Sequence, residues 1–376
     1  MKICADCFDD IDFKARIRSL NKRDFCDIHH RKEYIFDTDV DKQVNIQTDL
    51  TRLLNLYEPI DAEKEKSLSQ NEMLKNKTLI DRLQSDWCIF SNKLSDSEIT
   101  NIIYILLEDS FDTASNTFFK MPLRMKKIYD PKFIKDNSIL IGDSWLKFKE
   151  NILHKNRFFN KDLNVKLLAD LMGFSITELK PEQLFYRARI VDDFDEVENE
   201  DDILIPPEKK TNRIEGRLNP RGIGMLYLAS TEDTALKEVR ASFNDNVVVA
   251  PIKIKRPIKI VDLTQIMHVS PFTMLDTKFP EVYQLNREII SIFVKELEKP
   301  VKSHPTNLDY LPTQYLSAIA QTRYFGIKYR STMGLQDTEN YDVVLFNDKS
   351  VTALMDKIRR YKINKVEYGH KEIMPY

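Results

Sequence analysis

The stretch Gly216-Arg217-Leu218-Asn219-Pro220-Arg221-Gly222-Ile223-Gly224-Met225-Leu226-Tyr227-Leu228-Ala229-Ser230-Thr231-Glu232-Asp233-Thr234-Ala235-Leu236-Lys237-Glu238 reads as a turn, a strand and a helix in succession. Three of the chain's eight glycines fall between Gly216 and Gly224, beside Arg217. A glycine-rich turn with cationic side chains can cradle a pyrophosphate through backbone N–H groups. Residues 225–229 have strand composition, and Ser230-Thr231-Glu232-Asp233 caps a helix that carries Glu238. A carboxylate held there can stabilise an oxocarbenium-like charge. Turn and carboxylate together point to cleavage of a nucleotide-sugar bond.

Outward from this stretch, glycine is unevenly spread. None precedes Gly142, and six of the eight lie from Gly216 onward. The first half therefore reads as helical and the second as β-containing. With 376 residues, the chain has room for two or three domains. The expected fold is α+β: a zinc knuckle over 1–38, an all-α helical domain over 39–175, and a mixed β-sheet domain with flanking helices over 176–376. A net charge of −2 gives no global pull toward nucleic acid or an anionic membrane. No stretch approaches the roughly 18 apolar residues that a membrane span needs. The N-terminus has no apolar signal segment, so a cytoplasmic location without membrane contact is expected.

Four cysteines are too few for a disulfide framework. Cys4-Ala5-Asp6-Cys7 and Cys26-Asp27-Ile28-His29-His30 offer Cys4, Cys7, Cys26 and His29 as tetrahedral ligands for Zn²⁺. His29 keeps the C-x-x-H spacing, with His30 as the alternative. So short a segment lacks a core of its own, and the metal would supply much of its folding energy. A structural clip is the plainer role; docking to nucleic acid is the alternative. Cys88 reads as an ordinary buried thiol.

Ile46, Leu50, Leu53, Leu54 and Tyr57 recur at helical spacing, with Pro59 closing the run. Residues 99–107 form another helix, capped by Ser95 or Asp96 with Glu98 in its first turn. A third runs from Trp145 through Phe148 and Ile152 to His154 and Phe158. Residues 64–77 read as a loop or a solvated helix start. Residues 184–190 read as a strand with Arg187 and Arg189 on one face. Eight of the eleven residues over 192–202 are acidic, which reads as a mobile, solvated loop, with a cover over the basic cleft as the alternative. Strands are expected over 247–254 and 258–263, and helices over 281–298 and 312–325, the last with Gly326 at C′. Short strands follow over 327–329 and 341–346, and the basic last 30 residues are expected to pack as a helix.

Arg187, Arg217, Tyr227, Glu238 and Ser331 are the candidate active residues. Arginine matches phosphate bidentately, and tyrosine can stack on a planar ring. Glutamate can bond ribose hydroxyls and stabilise positive charge as a base leaves, and serine can bond ribose or phosphate.

Four segments taken in order carry a resemblance. They are Phe185-Tyr186-Arg187-Ala188-Arg189, Gly216-Arg217-Leu218-Asn219-Pro220, Leu226-Tyr227-Leu228-Ala229 with Thr234-Ala235-Leu236-Lys237-Glu238, and Tyr329-Arg330-Ser331. Over residues 184–346 they resemble the RES domain, with Arg187, Arg217, Tyr227, Glu238 and Ser331 on the family's motif positions. Leu218 departs from the pattern, where the family usually has Trp. The resemblance implies an ADP-ribosyltransferase-like fold that binds NAD⁺ in a cleft and degrades it. Such activity belongs to bacterial toxins and defence effectors, and implies an antitoxin or regulatory protein as a partner. On this reading Arg187 and Arg217 hold the pyrophosphate, helped by Asn219 and by backbone N–H groups near Gly222 and Gly224. Tyr227 stacks on or positions nicotinamide. Glu238 orients the ribose and stabilises its transition state, Ser331 anchors ribose or phosphate, and water or another small acceptor completes the reaction.

The N-terminal layout is similar to RES proteins that carry a zinc knuckle and a HEPN-like helical domain, in which a fourth Cys often stands where this chain has His29. Leu236 and Lys237 before Glu238, rather than a second acid, favour a small acceptor over ADP-ribosyl transfer to a protein or nucleic acid. A zinc-finger regulator with an inactive RES domain is disfavoured by the balanced charge. A HEPN nuclease is discounted, because residues 40–175 lack its spaced Arg–His pair and Arg23 and His29 fall in the knuckle.

Overall fold

The computed structural model describes residues 1–60, 78–107, 117–141, 144–157, 161–204, 215–299, 308–331, 333 and 340–366. The expectations for 64–77 and for Phe158 lie outside these residues. The chain divides into two compact units, 1–138 with 268–288, and 139–267 with 289–376. The helix Phe279–Leu297 contributes its residues up to Glu288 to the first and the rest to the second. Among the described residues no helix is long and apolar enough to cross a membrane.

The first unit opens with β1 (Lys2–Cys4), β2 (Arg23–Phe25) and β3 (Lys32–Asp37), which pair antiparallel in the order β1-β3-β2. Between β1 and β2 runs the helix Ile11–Ser19, capped by the Asp10 carboxylate, which accepts from the Asp12 and Phe13 amides at 3.0 and 2.9 Å. Ile3, Phe8, Phe13, Ile17 and Phe36 are all buried. Phe8 packs on Phe90 with ring centroids 5.6 Å apart, and Phe13 stacks on Phe272 at 3.9 Å. The N-terminal segment thus has no core to itself: Phe90 and Phe272, from beyond residue 38, help to complete one around it.

The helices Ile46–Leu54, Leu79–Trp87 and Asp96–Leu107 follow. Ser95 is the cap of the last: its hydroxyl accepts from the Glu98 amide at 3.3 Å, while Glu98 accepts from the Ser95 amide at 2.8 Å. Tyr57 is not on the preceding helix. It starts β4 (Tyr57–Pro59), which pairs antiparallel with β5 (Leu123–Met125), so this region is helical with one small ribbon rather than all-α. Burial explains the ribbon: Tyr57 is 2 % exposed, and its hydroxyl accepts from Trp87 Nε1 at 2.8 Å.

The second unit holds a nine-stranded mixed sheet. Its strands are β6 (Ile176–Leu179), β7 (Leu184–Val191), β8 (Leu226–Ala229), β9 (Asn246–Ile254), β10 (Ile258–Asp262), β11 (Gly326–Arg330), β12 (Tyr341–Leu345), β13 (Val351–Ala353) and β14 (Arg359–Lys362). They run in the order β13-β9-β7-β8-β12-β11-β10-β6, with β14 also on β9; only β10 and β11 pair in parallel among the described strands. Phe185, Leu226, Leu228, Val248, Ala250, Ile252, Val343 and Leu345 form the core on one face.

Three expectations are corrected here. The residues after 346 form β13 and β14, not a helix, because the long β9 offers both of them a ladder. Gly326 does not close the helix Leu311–Gln321, which ends at Thr322. It begins β11, where a Cβ would lie 2.5 Å from the Val344 carbonyl oxygen. The acidic segment after β7 is ordered: Asp193 and Asn199 each close a capping box, and Val197 and Ile203 are buried in the core. Turn-forming side chains outweigh the charge repulsion there.

Candidate active site and metal centre

The turn that precedes β8 is held from inside. Gly216 N–H donates to the Asn219 carbonyl at 3.0 Å, and Asn219 Nδ2 donates to the Ile223 carbonyl at 2.8 Å. The Tyr227 hydroxyl donates to Asn219 Oδ1 at 2.8 Å and accepts from the Leu218 amide at 3.0 Å. A Cβ on Gly216 would lie 2.3 Å from Asn219 Oδ1 and 2.7 Å from the Tyr227 hydroxyl. No other residue fits there, and φ +90° explains the glycine at 222. From the helix Leu311–Gln321, Gln314 Nε2 donates to the carbonyls of Gly216 and Asn219, and Thr313 Oγ1 donates to the Arg217 carbonyl at 2.6 Å. Arg217 Nη1 donates to the carbonyl of Leu297, at the negative end of the helix Phe279–Leu297.

β7 and β8 pair at Tyr186↔Ala229 and there part. Arg187 Nη1 takes the Tyr227 carbonyl at 3.2 Å, in place of a ladder partner. Its Nε is sealed from solvent and bonds to nothing among the described residues. Burial, and then the neighbouring Arg189, pull the guanidinium down to about 10. None of the ion pairs among the described residues involves Arg187, so among them this is a buried cation without a counter-charge.

Glu238 ends the helix Glu232–Glu238, which Thr231 caps by accepting from the Thr234 amide at 3.1 Å. A carboxylate at a helix C-terminus faces the negative end of the dipole, which costs about 0.3–1 kcal/mol. Ser331, just after β11, holds it: Ser331 Oγ donates to Glu238 Oε1 at 2.6 Å. Arg187, Tyr227 and Glu238 line one cavity of about 250 Å³ with Tyr329 and Asp342. An adjoining cavity of about 180 Å³ is lined by Gly216, Arg217, Tyr227, Glu238, Tyr310, Tyr329 and Asp342.

The structure thus brings Arg187, Arg217, Tyr227, Glu238 and Ser331 together. Asn219 is buried and bonded within the turn, and Gly222 and Gly224 do not line either cavity. Asp342, Tyr329, Tyr310 and Gln314 were not singled out from sequence. Their only signal was position: Tyr329 lies two residues before Ser331, and Asp342 is the second residue of the next strand.

In the first unit, Cys4 Sγ and Cys7 Sγ lie 3.6 Å apart, and Cys7 Sγ and Cys26 Sγ 3.7 Å. His29 Nδ1 is 3.2 Å from Cys4 Sγ and 3.5 Å from Cys7 Sγ, and all four ligand atoms fall within 4.8 Å of one another. Tetrahedral Zn²⁺ with bonds of about 2.3 Å sets sulfurs roughly 3.7 Å apart, so the donor set and spacing fit a metal ion. Bonding to Cys26 and Cys4, with burial, pushes the Cys7 thiol far up, while bonds from Cys4 and Cys7 pull Cys26 far down. His30 is exposed at φ +51° and stands apart from the cluster.

Residues 205–364 match the family model of the RES domain. The match covers just under half of the chain and begins after β7, which carries Arg187. At the level of the family this means NAD-related, ADP-ribosyltransferase-like chemistry. No curated protein and no solved structure matches the chain.

Proposed function

We propose that this chain is an NAD⁺ glycohydrolase-type effector that cleaves the bond between nicotinamide and ribose. The observation that carries the reading is the buried Arg187 guanidinium, without a carboxylate partner among the described residues, in one cavity with Glu238. An arginine of this kind binds phosphate, and a carboxylate across the cavity stabilises a ribosyl cation. Arg187 and Arg217 take the pyrophosphate. Glu238, steadied by Ser331, orients the nicotinamide ribose and stabilises the oxocarbenium-like transition state. Tyr227 acts by fixing the turn and, lining both cavities, positions nicotinamide. Asn219, Gly222 and Gly224 shape that turn. Water completes the reaction.

Transfer of ADP-ribose to a macromolecule uses the same site with another acceptor. The sequence neighbours of Glu238 no longer argue against it, because Asp342 brings a second carboxylate. Cys4, Cys7, Cys26 and His29 hold a structural Zn²⁺. We further propose a cytoplasmic location, a HEPN-like helical region over 39–175 and restraint by an antitoxin or regulatory protein, since unrestrained NAD⁺ loss harms the host.

Incubation of the purified chain with NAD⁺, followed by NMR of released nicotinamide, tests the reading. Free ADP-ribose is expected, and Glu238→Gln should slow its appearance by at least about a hundredfold. An unchanged rate in folded Glu238→Gln refutes the mechanism, and label retained on macromolecules replaces hydrolysis with transfer.

A further inference from the structure

Asp342 is the second residue of β12. It lies opposite Ala229 of β8 and Tyr329 of β11, which puts it on the sheet face that carries Tyr227. Its residue is 5 % exposed, and its Oδ1 has no hydrogen-bond partner among the described residues. It lines both cavities beside Glu238 and comes within hydrogen-bonding reach of that carboxylate.

The Ser331 hydroxyl has one hydrogen, and it goes to Glu238 Oε1 at 2.6 Å. The groups facing the pair are Tyr227 from β8, Tyr329 from β11, Ser331 just after β11, Arg187 from β7, and Arg217 and Tyr310 across the adjoining cavity. Both arginines donate to backbone carbonyls, Arg187 to Tyr227 and Arg217 to Leu297. Tyr227 donates to Asn219. Two carboxyl groups thus meet beside the Ser331 hydroxyl, and like charges so placed cannot both ionise at little cost.

We propose that Asp342 is a positioning residue that shares a single proton with Glu238 and so holds the Glu238 carboxylate in place as a monoanion. Burial, and then the charge of Glu238, push the Asp342 carboxyl up to about 8. At neutral pH Asp342 therefore keeps its proton and donates it in a hydrogen bond to Glu238. It is then no base for an acceptor, which favours water over an activated macromolecular hydroxyl. Above about pH 8 the proton leaves, the two carboxylates repel, and Glu238 swings off its Ser331 contact. The catalytic part of this inference rests on the NAD⁺ reading above; the shared proton does not.

Two measurements separate them. In the full chain labelled with [γ-¹³C]aspartate, the Asp342 resonance is assigned by its loss in Asp342→Asn. It is expected to titrate more than about two units above an ordinary aspartate, and to move down in Glu238→Gln. In parallel, the rate of NAD⁺ loss is expected to fall about tenfold between about pH 7 and pH 9, against an enzyme-free blank. In Asp342→Asn, whose amide donates at every pH, that fall should vanish whatever the absolute rate. Titration of Asp342 near the ordinary value, or no response to Glu238→Gln, overturns the inference even where NAD⁺ is consumed. A raised titration in a protein that consumes no NAD⁺ upholds the shared proton and sinks the functional reading instead. Should Asp342→Asn not fold, Glu238→Gln alone decides, because the resonance that it shifts is the one in question.

Discussion

Replacing Tyr227 by Phe separates two roles of this side chain. The ring stays, so any contact with nicotinamide stays. The hydroxyl goes, and with it the bond to Asn219 Oδ1 and the bond from the Leu218 amide. Both residues are buried, Asn219 at 4 % and Leu218 at 0 % exposure, so water does not readily replace the lost partners. Each buried group left unpaired costs about 1–3 kcal/mol. Asn219 keeps its Nδ2 bond to the Ile223 carbonyl, and some relaxation follows, so about 2–4 kcal/mol is expected. That is below the roughly 5–15 kcal/mol of a typical domain, so the protein should still fold. Hydrogen exchange at the Leu218 amide is the local readout. A loss of about 2 kcal/mol speeds exchange through local opening by roughly 30-fold. NAD⁺ affinity should fall with it, since the Arg217 backbone belongs to the same turn. Unchanged exchange at Leu218, with urea stability within about 0.5 kcal/mol of the parent, would refute the claim that the hydroxyl holds this turn. A drop in turnover without any change in exchange would instead put the hydroxyl in the chemistry.

Gly326→Ala should destabilise the second unit by about 1–3 kcal/mol in urea unfolding, because its Cβ would press on the Val344 carbonyl and overpacking has little room to relax in a central strand. Cys7→Ser should abolish stoichiometric zinc in the purified chain, while far-ultraviolet circular dichroism changes little, since Ile3, Phe8, Phe13 and Phe36 bury an apolar core beside the cluster. Arg187→Met should leave urea stability unchanged or raise it by up to about 4 kcal/mol while weakening NAD⁺ binding at least tenfold by calorimetry. Clear destabilisation there would make Arg187 a strut for the Tyr227 carbonyl rather than an anion site.

Chain order and spacing made much of the sheet legible. Residues 225–229, 247–254 and 341–346 had strand composition and are strands, and Thr231 sat where a cap belongs. Misreadings arose where tertiary context outweighed local pattern. Gly326 looked like a helix stop and is needed for the close approach of β11 to β12. The basic C-terminal segment looked helical, but β9 offered it backbone partners that no sequence window displays. The acidic run looked mobile, yet Val197 and Ile203 anchor it. At the site, Arg187, Tyr227, Glu238 and Ser331 could be named because each lies in a recognisable segment. Asp342 could not, since a lone aspartate at a strand start is ordinary until a register sets it beside Glu238.

Three unfavourable placements meet in this cleft. Two buried acids elsewhere are satisfied: Asp10 accepts two helix amides, and Asp262 accepts from Lys328 Nζ at 2.8 Å and from Thr264. In the cleft a dry guanidinium has no counter-charge among the described residues, a carboxylate sits at the wrong end of a helix, and a second carboxyl lies beside it. Each is destabilising alone. The obvious internal remedy, an ion pair between Arg187 and Glu238, is absent from the ion pairs among the described residues. The cation is turned to a carbonyl and the anion to a hydroxyl, and cavity space lies between them. A fold under selection for stability alone would have joined them. Opposite charges held apart across a cavity are what a substrate requires when it brings a pyrophosphate for one and a developing ribosyl cation for the other.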